Sequence, residues 1–113
     1  MVTTKEKKIS NIRPSVAGMV ENVIGCKWSM QVLALVESGV CRPGAMERAV
    51  DGLTAKVLNE RLSKLMRFGV LEKTVYPEVP PRVEYVLTPF GRRFCTLIEA
   101  VRRLQADLDR EGV

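Results

Sequence analysis

The stretch VYPEVPPRVEYVLTPFG, residues 75–91, sets Pro77, Pro80 and Pro81 between two runs of alternating residues and places Pro89 just ahead of an apolar segment. Proline cannot donate to a strand ladder, so the cluster excludes a continuous central strand and marks a turn. On either side the alternation survives, with Leu71, Lys73 and Val75 set against Glu72, Thr74 and Tyr76 before it, and Val83, Tyr85 and Leu87 against Glu84, Val86 and Thr88 after it. The pattern predicts a lone hairpin with a long, stiff tip. Two strands alone are barely stable in water, so the hairpin needs helical cover.

Working outward, Thr88 and Pro89 form a cap and first-turn signal for a last helix running to about Leu108, whose apolar stripe is longer than a small domain needs. Upstream, LTAKVLNERLSKLMRFG (residues 53–69) has Thr54 at an N-cap position, Leu58, Leu62 and Leu65 at helical spacing, and Gly69 as a stop. Before it, Ser15 caps a helix closing near Gly25, KWSMQVLALVESG forms a second helix, and AMERAV a short third one after a break at Arg42, Pro43 and Gly44. The order predicts a mainly α domain with a small β-hairpin: a winged helix-turn-helix of five or six helices plus a two- or three-stranded wing. The third and fourth helices are expected to cover the hairpin. Residues 1–14 read as a flexible basic arm, and residues 15–113 as the domain proper.

A 113-residue chain with net charge +5 and a pI near 9.4 is one domain leaning towards a polyanionic partner. The excess is local: residues 1–14 carry +3, and residues 42–73 carry +3 from seven basic and four acidic groups. No apolar run approaches a membrane span and no signal-peptide pattern opens the chain, so a cytoplasmic protein is expected. With no histidine and three scattered cysteines, neither a zinc site nor a disulfide framework is expected. No phosphate loop, dinucleotide fingerprint or nucleophile motif is present, so the chain reads as no enzyme and no cofactor is expected.

In the fourth helix the apolar side leaves Lys56, Asn59, Glu60, Ser63 and Arg67 on the opposite face, with Arg61 and Lys64 flanking it. The second helix of a helix-turn-helix enters the major groove with its N-terminal turns against base edges; Thr54, Lys56 and Asn59 have the chemistry to read them. The plain alternative is a solvated amphipathic face, which Glu60 favours. On the wing, Lys73 and Arg82 are placed to meet phosphate; Arg82 could equally pair with Glu84 or Glu78 across the turn. Trp28 reads as a core anchor, and Lys27 as a phosphate contact or a solvated cation. Small buried thiols are the ordinary reading of the cysteines, with Cys26 and Cys41 the redox candidates and Cys41 the more accessible by its place between helices.

The motifs IGCKW at 24–28, LTAKVLNERLSKLMRFGVL at 53–71 and VYPEVPPRVEYVLTPFG at 75–91 resemble the HxlR family of bacterial and archaeal transcription regulators, related in architecture to the MarR group. The resemblance covers roughly residues 15–108. It implies a homodimer held by the first and last helices, through Val16, Val20, Phe94, Leu97, Ile98, Val101 and Leu104. It also implies double-stranded operator DNA as the partner, with Thr54, Lys56, Asn59, Arg61 and Lys64 on the reading helix and Lys73 and Arg82 on the wing. Two departures stand out. Ser15 occupies a position where many members carry a cysteine, some of them electrophile sensors, and Cys26 replaces the second glycine of Gly-Gly-Lys-Trp. A winged-helix module for protein partners remains the rival from another class, and a thiol-based redox regulator using Cys26 or Cys41 is the other alternative. No effector is legible.

Overall fold

The computed structural model describes residues 14–112. Nearly all of the expected basic arm therefore lies outside the described residues. Among them the chain runs through α1 (Val16–Ile24), α2 (Lys27–Glu37), α3 (Pro43–Ala49), α4 (Ala55–Arg67), β1 (Leu71–Tyr76), β2 (Arg82–Leu87) and α5 (Pro89–Arg110). This is a winged helix-turn-helix with five helices and a two-stranded antiparallel wing. Among the described residues no helix is long and apolar enough to cross a membrane.

Hydroxyl caps start three of the helices. Ser15 Oγ accepts from the Gly18 amide at 3.1 Å, Thr54 Oγ1 from Val57 at 3.2 Å and Thr88 Oγ1 from Gly91 at 2.8 Å, each satisfying a donor that the first turn leaves free. The third helix starts two residues earlier than its apolar pattern suggests. Pro43, read from sequence as part of a break, is its first residue, where the missing N–H costs nothing.

The core gathers Met19 and Val23 of α1, Val32, Leu33 and Val36 of α2, Met46 of α3, Leu58, Leu62 and Leu65 of α4, and Phe94 and Ile98 of α5. These positions recur at three- and four-residue spacing, so each helix buries one stripe. Trp28 packs partly buried against this cluster.

In the wing, Leu71 faces Leu87 and Tyr76 faces Arg82 across the ladder. Only its base is held: Leu71 and Tyr85 are buried, while residues 72–75 stand in solvent. The cover comes from α4, as expected, and from α2 and α5 in place of the expected α3. The short α3 lines a groove under the wing tip, with Pro43, Ala45 and Arg48 facing Glu78 and Val79. One backbone bond, from the Tyr85 amide to the Cys41 carbonyl at 2.8 Å, ties β2 to the α2–α3 link.

The wing and α5 meet at a close joint. The Thr88 amide donates to the Val70 carbonyl at 3.0 Å and its hydroxyl to the Gly69 carbonyl at 2.5 Å. A Cβ at Gly91 would lie 2.0 Å from the Val70 oxygen, so only glycine lets the helix approach this closely.

Candidate nucleic-acid interface

The helix α4 builds the site. Leu58, Leu62 and Leu65 bury one side of it, which turns Lys56, Asn59, Glu60, Ser63 and Arg67 outward; all five are exposed. Thr54 stands exposed at the helix start; its oxygen accepts the capping bond and leaves its O–H free to donate outward. Thr54, Lys56 and Asn59 thus share the first turns of one solvent-facing surface, as the residue pattern predicts.

The flanking cations are engaged within the protein. Lys64 Nζ donates to Asn22 Oδ1 at 2.9 Å and fastens α4 to α1. Arg61 is half-buried: Nη1 lies 3.9 Å from Glu60 Oε1, and its Nε is buried without a partner. Lys27 Nζ sits 5.3 Å from the centre of the Trp28 ring, a cation held over an aromatic face at the start of α2.

On the wing, Lys73 is exposed and forms no ion pair among the described residues. Arg82 differs. Its Nε and Nη2 donate to Glu78 Oε2 at 3.1 and 2.8 Å and its Nη1 to Glu84 Oε2 at 2.6 Å, while its guanidinium lies 3.7 Å from the Tyr76 ring centre. Arg42 Nε approaches the same Glu84 oxygen at 3.6 Å. Both carboxylate pairings open in the sequence are therefore made at once. The Arg82 hydrogen bond holds the Glu78 carboxyl below its usual range, and those two carboxylates push Arg82 up.

Cys26 is the N-cap residue of α2 and half-buried. Its sulfur makes no formal capping bond but lies by the Ser29 hydroxyl and the Ser29 and Trp28 amides, with the Arg61 charge within reach. Burial pushes the thiol up, yet those donors and that charge outweigh it and bring the Cys26 pKa down to about 7. Ser29 is fully buried; its Oγ makes no bond of full hydrogen-bond geometry, and its polar neighbour is the Cys26 sulfur. Cys95 is the opposite case: burial, then the Glu37 carboxylate, push its pKa up to about 12. Among the described residues no cluster of acidic and thiol side chains could hold a metal ion.

A helix-turn-helix with a hairpin wing and an exposed polar face on its second helix is a shared architecture, and sequence comparison narrows it. The family described as HxlR-like helix-turn-helix matches residues 23–111. The chain belongs to the HxlR family. An HTH-type transcriptional regulator of Synechocystis is 39% identical over 94 residues, covering 82% of this chain and 70% of that protein. The HTH-type regulator YtcD of Bacillus subtilis is 40% identical over 87 residues, with 77% and 67% covered. In structure, a MarR-family transcriptional regulator from Enterococcus faecalis V583 superposes with a TM-score of 0.75 at 28% identity, covering 85% of this chain and 87% of that one. Homologues and fold alike are those of transcriptional regulators rather than enzymes.

As an HxlR-family protein, the chain departs from its sequence reading at the terminal helices. Phe94 and Ile98, expected at a dimer interface, are 2% and 5% exposed and belong to the protomer's own core. Helix α5 turns its first three turns inward and only then leaves the domain. The apolar surface it keeps is Leu97, Val101, Leu104 and Leu108, with Val16 of α1 also exposed and Val20 partly covered. The sequence reading also missed the Lys64–Asn22 tie and the Tyr76–Arg82 stack. The second had a signal, since a six-residue antiparallel register places those residues opposite one another.

Proposed function

We propose that this cytoplasmic regulator acts as a homodimer on a pseudo-palindromic DNA operator, probing the major groove with α4 and holding the promoter closed to transcription. The observation that carries this reading is the solvent-facing surface of Thr54, Lys56 and Asn59 on the first turns of a helix whose other side is locked into the core. Lysine suits guanine and asparagine adenine, each good pair being worth about 1–3 kcal/mol of base discrimination. Arg61, Lys64 and Lys73 flank that surface and supply sequence-independent attraction to phosphate, with Arg82 on the wing as a further, carboxylate-paired cation. The apolar stripe from Leu97 to Leu108 with Val16 is the surface for the second copy, which would set two reading helices about 34 Å apart. A mobility-shift titration on the promoter beside the protein's own gene, with competitor DNA, tests it. Retarded bands that competitor does not displace are expected; no shift on any duplex refutes the reading and leaves a protein-binding module.

A second reading layers a thiol switch on this one. Cys26 carries it, being half-buried at a helix start, with a pKa of about 7 and the Arg61 charge of the reading helix nearby. Alkylation there would push against Ser29 and Arg61 and lower DNA affinity. Release by an alkylating agent that persists when Cys26 is changed to Ser removes this reading.

A further inference from the structure

The wing joins two arginines to two carboxylates. Arg82 is gripped by Glu78 and Glu84, and Glu84 is shared with Arg42, so the formal charges of the four groups cancel. A wing that meets phosphate does so through a cation, and here the charge of Arg82 is already neutralised by its neighbours. Carboxylate and phosphate oxygens satisfy the same guanidinium fork, so the two compete for Arg82.

The two carboxylates are not equivalent. Glu84 sits in β2 with its side chain only 18% exposed, facing both Arg42 and Arg82. Glu78 lies in the proline-rich tip with its side chain 50% exposed, and pairs with Arg82 alone. Glu84 is the anchor and Glu78 the exchangeable ligand. Stacking on Tyr76 holds the guanidinium plane in place whichever oxygen occupies the outer N–H groups.

We propose that Glu78 sets the DNA affinity of the wing by occupying the phosphate-facing N–H groups of Arg82, so that a backbone phosphate binds there only by displacing it. This rests on the duplex-binding reading above. Displaced Glu78 stays beside the phosphate as a like charge, so the wild-type wing contributes little to affinity. Removing that charge uncovers one further phosphate contact. The slope of log Kobs against log salt then steepens by about 0.9, which multiplies the salt-induced loss of affinity between 50 and 200 mM by about 3.5.

The test titrates the full chain by fluorescence anisotropy against the promoter duplex and a scrambled duplex of equal length, at both salt concentrations. The proteins are wild type, Glu78→Gln, Glu78→Gln with Arg82→Ala, and Lys56→Ala. Glu78→Gln should bind both duplexes more tightly at 50 mM salt, lose that advantage by about 3.5-fold at 200 mM, and revert when Arg82 is also removed. Unchanged or weaker binding by Glu78→Gln, with an unaltered thermal midpoint, overturns the inference. If Lys56→Ala still relaxes the promoter preference in that experiment, the operator reading stands without it. Failure of the wild type to bind either duplex removes both.

Discussion

At the scale of single residues, the chemistry separates groups that the sequence lists alike. Three cysteines are indistinguishable as letters, yet the donors around Cys26 bring it to about 7 while burial and Glu37 push Cys95 to about 12. The thiolate is the nucleophile, so a thiol with a lowered pKa gains reactivity as pH rises through that value. Alkylation of Cys26 by iodoacetamide should therefore rise with a midpoint near pH 7 and level off above it, with Cys95 protected throughout. Mass mapping of pulse-labelled protein between pH 5.5 and 9 reads both. Lys56 and Asn59 were legible because helical spacing alone decides which side of α4 they take. Arg82 was legible only as a choice: both carboxylate partners could be named from the sequence, but that it takes Glu78 and Glu84 together depends on a tip conformation that three prolines shape and no periodicity encodes. Changing Lys56 or Asn59 to Ala should weaken the preferred operator by about 1–3 kcal/mol while leaving scrambled DNA nearly unaffected, as measured by competition titration.

At the scale of elements, local signals and tertiary contacts agree at the helix starts. Ser15, Thr54 and Thr88 were readable as caps because a hydroxyl three residues ahead of a free amide has few better uses. Replacing Thr54 by Ala should cost about 1 kcal/mol and lower the thermal midpoint by about 4–8 °C, followed by circular dichroism. Gly91 is a different matter, since its reason lies in a neighbour far along the chain. The Val70 carbonyl occupies the space a side chain would take, and nothing in residues 89–93 announces it. Gly91→Ala should destabilise the fold by about 1–3 kcal/mol or more, because backbone rather than a flexible side chain must give way. A chemical-denaturation midpoint displaced by less than Ser→Ala at position 15 displaces it would contradict this. The helix cover of the wing was legible only in part: α4 lies next to β1 and α5 next to β2 in sequence, but the approach of α2 to β2 is long-range and no local signal announces it.

At the scale of the whole molecule, α5 is half core and half unpartnered surface. Its periodicity is continuous from Phe94 to Leu108, so the sequence could show the stripe but not the point at which it leaves the domain. Leu104 is 70% exposed, and a charge there should leave the isolated protomer within about 0.5 kcal/mol of its stability. The pair should not survive it. Light scattering should give the wild type a mass near twice 12.6 kDa and Leu104→Glu a mass near the single value, with operator binding greatly weakened in the variant. A single-chain mass for the wild type would refute the paired arrangement.

The joint at Thr88 and Gly91 has a mechanical meaning for such a pair. Helix α5 spans about 33 Å at 1.5 Å per residue, and its first turn is bolted by backbone and hydroxyl bonds to the bend that ends α4. No slack segment lies between the part that would grip a twin and the part that would touch bases. Two copies would then act as a stiff caliper with its jaws at a preset gap. Lengthening the spacer of an operator by five base pairs should turn one half-site to the far side of the duplex and leave the caliper closing on only one.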